Sequence, residues 1–148
     1  MQEEQWKEIK YFTQSEKWGD PTAMDYNLVR LLDSLRAFIG KKIIIHCGYE
    51  DRGNDSYHCR GMAIDCHAVD IHLIDFYIAA CRFGFGGIGI YPKWNSPGLH
   101  IDSRPVDEYG HKSFWASIEY GKYIPITSTL IESILDMPYL DNAEIINV

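Results

Sequence analysis

Apolar positions between Asp25 and Ile39 fall at Leu28, Leu31, Leu32, Leu35 and Phe38, the spacing of one helix face. Asp25 is placed to cap that helix and Gly40 to stop it. The period then changes. Lys42 to Cys47 is a short run of mostly β-branched residues, which predicts a strand, and Gly48 to Tyr57 is polar and loop-like. From Gly61 the residues alternate, with Gly61, Ala63 and Asp65 on one face of a strand and Met62, Ile64 and Cys66 on the other. Such a strand turns an apolar face to a core and, on its other face, leads two tiny residues up to a carboxylate at its edge.

Asp70 to Arg82 predicts a second helix, capped by Asp70, with Leu73, Ile74, Tyr77 and Ile78 inward. Gly86 to Tyr91 reads as a glycine-rich strand in which Gly87 and Gly89 share a face and admit a close neighbour. Pro92 to Pro97 is a turn-rich connection whose Trp94 is a packed anchor or a substrate wall, and His100 to Ser103 is another strand. Phe114 to Glu119 and Tyr123 to Thr127 form a hairpin around Gly121, with aromatics read as edge packing. Thr129 to Glu132 has the spacing of a capping box before a short amphipathic helix. Together these elements predict an α+β protein: a small, mostly antiparallel sheet with helices packed on it, as one domain over residues 1–148.

The chemistry gathers around His58, Asp65 and His100. His58 precedes the alternating strand in a glycine-containing turn, so its imidazole can fold back over the small residues toward Asp65. The later strand brings His100 and Asp102, with Leu99 and Ile101 packed behind. Two imidazoles, one carboxylate and a water are the open four-coordinate set of a catalytic Zn²⁺. His46, His67, His72 and His111 read as ordinary surface or core histidines. Cys47, Cys59, Cys66 and Cys81 contain no Cys-x-x-Cys pair and read as reduced thiols.

The run Ser56-Tyr57-His58-Cys59-Arg60-Gly61-Met62-Ala63-Ile64-Asp65, followed by Gly98-Leu99-His100-Ile101-Asp102, resembles the zinc D-alanyl-D-alanine carboxypeptidase-like peptidases, peptidase family M15. Their pattern is Ser-x-His-x-x-Gly-x-Ala-x-Asp and then a His in a short apolar strand. Tyr11-Phe12, Ser15-Glu16 and Ile45-His46-Cys47-Gly48-Tyr49 are similar as well. Gly87-Ile88-Gly89-Ile90-Tyr91 and His100-Ile101-Asp102-Ser103-Arg104 are similar to phage and prophage members. The likeness covers about residues 11–126 and leaves 127–148 as an extension. It implies the fold shared with the hedgehog signalling domain, His58, Asp65 and His100 as ligands of Zn²⁺, and cleavage of peptidoglycan stem peptides or cross-links as a carboxypeptidase or endopeptidase.

Two positions depart from the family. Relatives carry an acidic base three residues before the last His, where this chain has Pro97. Asp102, on the same strand face as His100, is then either the base or the residue that orients His100. Relatives follow the Gly-Tyr pair with an Arg, where this chain has Glu50, so Arg52 takes over the binding of a substrate carboxylate or oxyanion. These departures leave open an alternative, a catalytically weak or inactive zinc-binding module with a phage structural or wall-binding role.

The formal net charge of -7 argues against a nucleic-acid partner, so a wall peptide would be recognised locally through Arg52, Arg60 or Arg104. Met1 to Lys7 lacks an apolar stretch of signal-peptide length, and no later run suits a bilayer span. The expectation is a monomer made in the cytoplasm, phage- or prophage-encoded, that reaches the wall by lysis, in a virion or by another route.

Overall fold

Asp25 caps the first long helix as its position predicts. Its carboxylate accepts the Leu28 N–H at 2.9 Å, and Gly40 ends the helix in the left-handed region at φ 63. The computed structural model describes residues 1–138, in the order α1 (Glu3–Trp6), α2 (Tyr26–Ile39), β1 (Ile43–Cys47), a one-turn 3-10 helix (His58–Arg60), β2 (Ala63–Ala68), α3 (Leu73–Cys81), β3 (Gly87–Tyr91), β4 (Gly98–Asp102), β5 (Ser113–Glu119), β6 (Lys122–Ile124) and α4 (Ser128–Leu135). The expected extension over 127–148 is thus seen as far as α4 and Pro138, and residues 139–148 lie outside the described residues.

The six strands form one sheet in the order β1-β2-β4-β3-β5-β6. Neighbours are antiparallel except β3 and β5, which run parallel. The protein is α+β with a mostly antiparallel sheet, as the sequence predicts. Leu28, Leu32 and Leu35 of α2 and Phe76 and Ala80 of α3 are buried with Ile64, Ile88, Leu99 and Ile101 of the sheet. Each such aliphatic or aromatic side chain contributes about 1.5–3 kcal/mol by leaving water. Strand alternation sends their neighbours Asp65, Gly89 and His100 to the opposite face. The four cysteines are free thiols, and Cys66 is buried in the core. Among the described residues no helix is long and apolar enough to cross a membrane.

Several local expectations are corrected. Gly61 is not in a strand: it ends the 3-10 turn at φ 66, and a Cβ there would overlap the Ala23 carbonyl oxygen. β2 runs on to Ala68 because Ile43 pairs with Ala68, so Asp65 stands in mid-strand and not at an edge. Asp70 does not cap α3. It adopts φ 54, and α3 begins two residues later than expected for its cap, with His72 Nδ1 accepting the Ile74 N–H at 3.3 Å. Thr127, and not Thr129, caps α4, its hydroxyl accepting the Leu130 N–H at 3.2 Å.

Asp25 also ties distant segments together. Its N–H donates to the Gly61 carbonyl at 2.9 Å, and its carboxylate accepts the Ser103 hydroxyl at 3.1 Å. Ser103 in turn donates its N–H to the Met62 carbonyl at 3.0 Å. The segments that carry His58 and His100 are thereby fixed to the start of α2.

Candidate metal centre and active site

Sheet register lines up the site. Asp65 of β2 lies opposite His100 of β4, His100 opposite Gly89 of β3, and Gly89 opposite Trp115 of β5. Residues directly opposite share a face, so this is one row across four strands. Gly89 contributes no side chain, and the Trp115 indole occupies the space, its ring 5.4 Å from that of His100. In the next row a Cβ on Gly87 would come within 2.5 Å of both Arg104 Nε and Asp102 Oδ1. Both glycines thus admit a close neighbour, as their spacing predicts.

His58 reaches the row from the 3-10 turn. Its Nδ1 donates to the Gly48 carbonyl at 2.8 Å, which leaves Nε2 facing Asp65 Oδ1 at 3.4 Å and His100 Nδ1 at 3.3 Å. His100 Nδ1 is 3.0 Å from the same Asp65 oxygen, and its Nε2 is 3.0 Å from Asp102 Oδ2. Each imidazole thus gives one N–H to an outer acceptor and turns its other nitrogen inward, where it can ligate a cation once that nitrogen loses its proton. Asp102 has no exposed surface, and Arg104 grips it through Nε at 2.8 Å, Nη2 at 2.6 Å and its backbone N–H at 3.1 Å.

Donor separations of 3.0–3.4 Å suit a small tetrahedral cation. With bonds near 2.0–2.1 Å, the edge of such a tetrahedron is about 3.3 Å. The electrostatics agree. Burial opposes charge on His58, yet hydrogen bonds to Asp65 and Cys47 raise its pKa to about 10. Burial likewise opposes charge on Asp65, but His100 and His58 hold it well below the carboxylate range. His100 is raised by Asp102 and Asp65 against its burial, and Asp102 is lowered to about 2 by His100 and Arg104 against its own. This donor set draws positive charge into the row.

One residue near the centre was not singled out in the sequence. Cys47 offers a sulfur that lies, with donor atoms of His58 and Asp65, inside a 4.8 Å group. It reads as the end of an apolar strand, but an irregularity after Ile45 pairs it with Asp65. Its Sγ is 3.8 Å from His58 Nδ1, the nitrogen already bonded to Gly48. Cys47 therefore stands behind the imidazole, and His100 stands on the side of the inward nitrogen.

A cleft of about 1210 Å³ opens above the row. Trp115, Tyr120 and Tyr123 of the terminal hairpin line it, so these aromatics are not the edge packing their positions predict. Trp94 stacks on Tyr91 at 4.1 Å and 17°, and both form a wall of the cleft. Arg52 lies at the cleft with its Nε 2.5 Å from Glu50, and Arg60 is paired with Asp55 at 2.6 Å. Pro97 lines a separate crevice with Ala68, Ile71 and His72. His46 and His67 stack at 4.7 Å beside the site, and His111 pairs with Asp107 at 2.7 Å.

Residues 50–109, which contain all of these donors except Cys47, match the family model described as Peptidoglycan L,D-endopeptidase MepK. Over that stretch the chain is similar to peptidase family M15. The probable peptidoglycan L,D-endopeptidase MepK of Haemophilus influenzae is 28% identical over 116 residues, an overlap of 68% of this chain and 61% of that protein. The peptidoglycan L,D-endopeptidase MepK of Escherichia coli K12 is 41% identical over 51 residues, 34% of this chain and 27% of that protein. The chain thus spans less than two thirds of the length of these curated relatives. No solved structure is a significant match.

Proposed function

We propose that this chain is a peptidase of family M15 that cuts internal peptide bonds of peptidoglycan peptides, with Zn²⁺ held by His58, Asp65 and His100. The observation that carries the reading is the convergence of three inward donor atoms at 3.0–3.4 Å on the floor of an open cleft. When bound there, zinc supplies Lewis acidity to the scissile carbonyl and to the attacking water.

The chain's own residues prepare that chemistry. Gly48 fixes the tautomer of His58, and Asp102 fixes that of His100. Asp102 acts as a positioning residue and not as the base. Both its oxygens are engaged by His100 and Arg104, and it has no surface through which to meet a water. The carboxylates that line the cleft outside the row are Glu50, Asp55 and Glu119, each paired with a cation.

Cleavage within a chain is favoured over removal of a terminal residue. A carboxypeptidase needs a cation for the free carboxylate of its substrate. Arg104 is committed to Asp102 and Arg52 to Glu50, which leaves Lys93, a point charge without the bidentate fork of a guanidinium, while the aromatic walls leave the cleft open for a peptide to pass through. The activity named for the relatives, L,D-endopeptidase, supports the same choice.

Mass spectrometry of purified peptidoglycan and its soluble peptides, with zinc-loaded protein beside a chelated control, tests this reading. Zinc-dependent products split at an internal bond are expected. Loss of a terminal residue alone would overturn endopeptidase action, and intact substrate would overturn the peptidase. Pro97 at the position of the family's base favours one other reading, a module that holds zinc and binds wall peptides without cutting. Its signature is bound peptide, bound zinc and no product.

A further inference from the structure

We propose that the Tyr91 hydroxyl donates a hydrogen bond to the oxygen of the scissile carbonyl as negative charge develops on it, which makes Tyr91 a catalytic residue. This inference rests on the peptidase reading above and deepens it. Tyr91 ends β3 two residues beyond Gly89, so alternation puts its side chain on the face that carries His100 and Asp65. Its partner on β4 is Gly98, which has no side chain to compete for the space beside the row.

The hydroxyl is held before any substrate arrives. Trp115 Nε1 donates to the Tyr91 oxygen at 3.1 Å, which fills an acceptor site and leaves the phenol its own proton to give. The indole is itself fixed: it lies over Gly89, 5.4 Å from the His100 ring, with the Arg104 guanidinium 4.8 Å from its centre. Trp94 stacks on the phenol ring at 4.1 Å. A donor whose ring and oxygen are both held needs no reorganisation when charge appears, which is what makes such donors effective. Burial also raises the pKa of the phenol and keeps its proton in place at neutral pH.

The guanidinium donors at the cleft are otherwise engaged. Arg104 spends its Nε and Nη2 on Asp102, and Arg52 is paired with Glu50. Tyr57 has the guanidinium groups of Arg60 and Arg104 5.3 and 4.7 Å from its ring centre, and Tyr123 stands at the rim, 68% exposed. Tyr91 is the phenol that the site itself aims.

The test compares wild type, Tyr91→Phe and Tyr109→Phe, an exposed phenol outside the cleft, each zinc-loaded, in cleavage of a soluble peptidoglycan peptide. Binding of a phosphinate analogue, whose tetrahedral centre carries the developing charge, is measured beside binding of the uncleaved peptide to chelated protein. Tyr91→Phe is expected to lower kcat about 100-fold and to weaken the phosphinate by a comparable factor. Zinc stoichiometry and ground-state peptide binding should stay within about twofold, the split expected of a contact made only in the transition state. Tyr109→Phe should match wild type. A Tyr91→Phe enzyme as fast as an active wild type overturns the proposal alone, as does a loss carried equally by peptide binding. A wild type that cuts nothing overturns the peptidase reading itself, a result distinct from either.

Discussion

Nε2 of His100 lies 3.0 Å from Oδ2 of Asp102, a carboxylate with no exposed surface. The contact settles which imidazole nitrogen keeps the proton, and so which one turns toward Asp65 and His58. Asp102→Asn keeps the size of the side chain but offers an amide that can stabilise the wrong tautomer. Zinc affinity should fall about 10- to 100-fold, measured by competition with a chelating dye. Unchanged affinity would detach Asp102 from the metal centre.

Gly89 makes room for Trp115, and a Cβ there would overlap the indole. Gly89→Ala should destabilise the protein by about 1–3 kcal/mol, the range for overfilling a packed site. The midpoint of urea unfolding reads this directly. An unchanged midpoint with unchanged turnover would show that the indole can move at no cost.

His58 and His100 both have pKa values raised above 6.5, His58 to about 10. Groups raised on folding contribute stability that is complete below the unfolded value and is lost as pH climbs through the folded one. The thermal midpoint of chelated protein should therefore fall between pH 6.5 and about 10. Zinc should abolish that fall, because ligated imidazoles carry no second proton. Zinc affinity should also rise with pH over this window. A flat profile for chelated protein would mean that Asp65 does not charge His58.

His67 behaves in the opposite sense. Burial, and then the nearby His46, push its pKa down to about 4, so the unfolded chain binds its proton first as pH falls from 6.5. Its buried Nε2 has no hydrogen-bond partner among the described residues. His67→Leu should flatten the loss of stability between pH 6.5 and about 4, seen by urea unfolding along that range. An acid limb unaltered by this change would assign the loss to other groups.

The residues of the centre were legible because each carries its own local signal. Ala63 and Asp65 alternate with apolar neighbours, and His100 sits between Leu99 and Ile101, so two apolar faces fix two polar ones. What surrounds the centre was less legible. Nothing in the hairpin's own pattern tells that β5 docks parallel to β3, yet that pairing brings Trp115 over Gly89 and makes the hairpin aromatics a cleft wall. Cys47 was missed because a strand irregularity changes what a residue faces without leaving a mark in the period. Asp70 and His72 are both able to cap a helix, and the left-handed backbone at Asp70 decided between them.

Asp25 bonds Leu28, Gly61 and Ser103 at once, at 2.9, 2.9 and 3.1 Å. The first turn of α2 therefore cannot fray without slackening the turn behind His58 and the strand end behind His100. The helix start and the segments that carry His58 and His100 are tied into one unit, so their amide hydrogens should exchange together and slow together when a ligand fills the centre. Binding at the floor of the cleft should thereby reach the start of α2 as resistance to local unfolding.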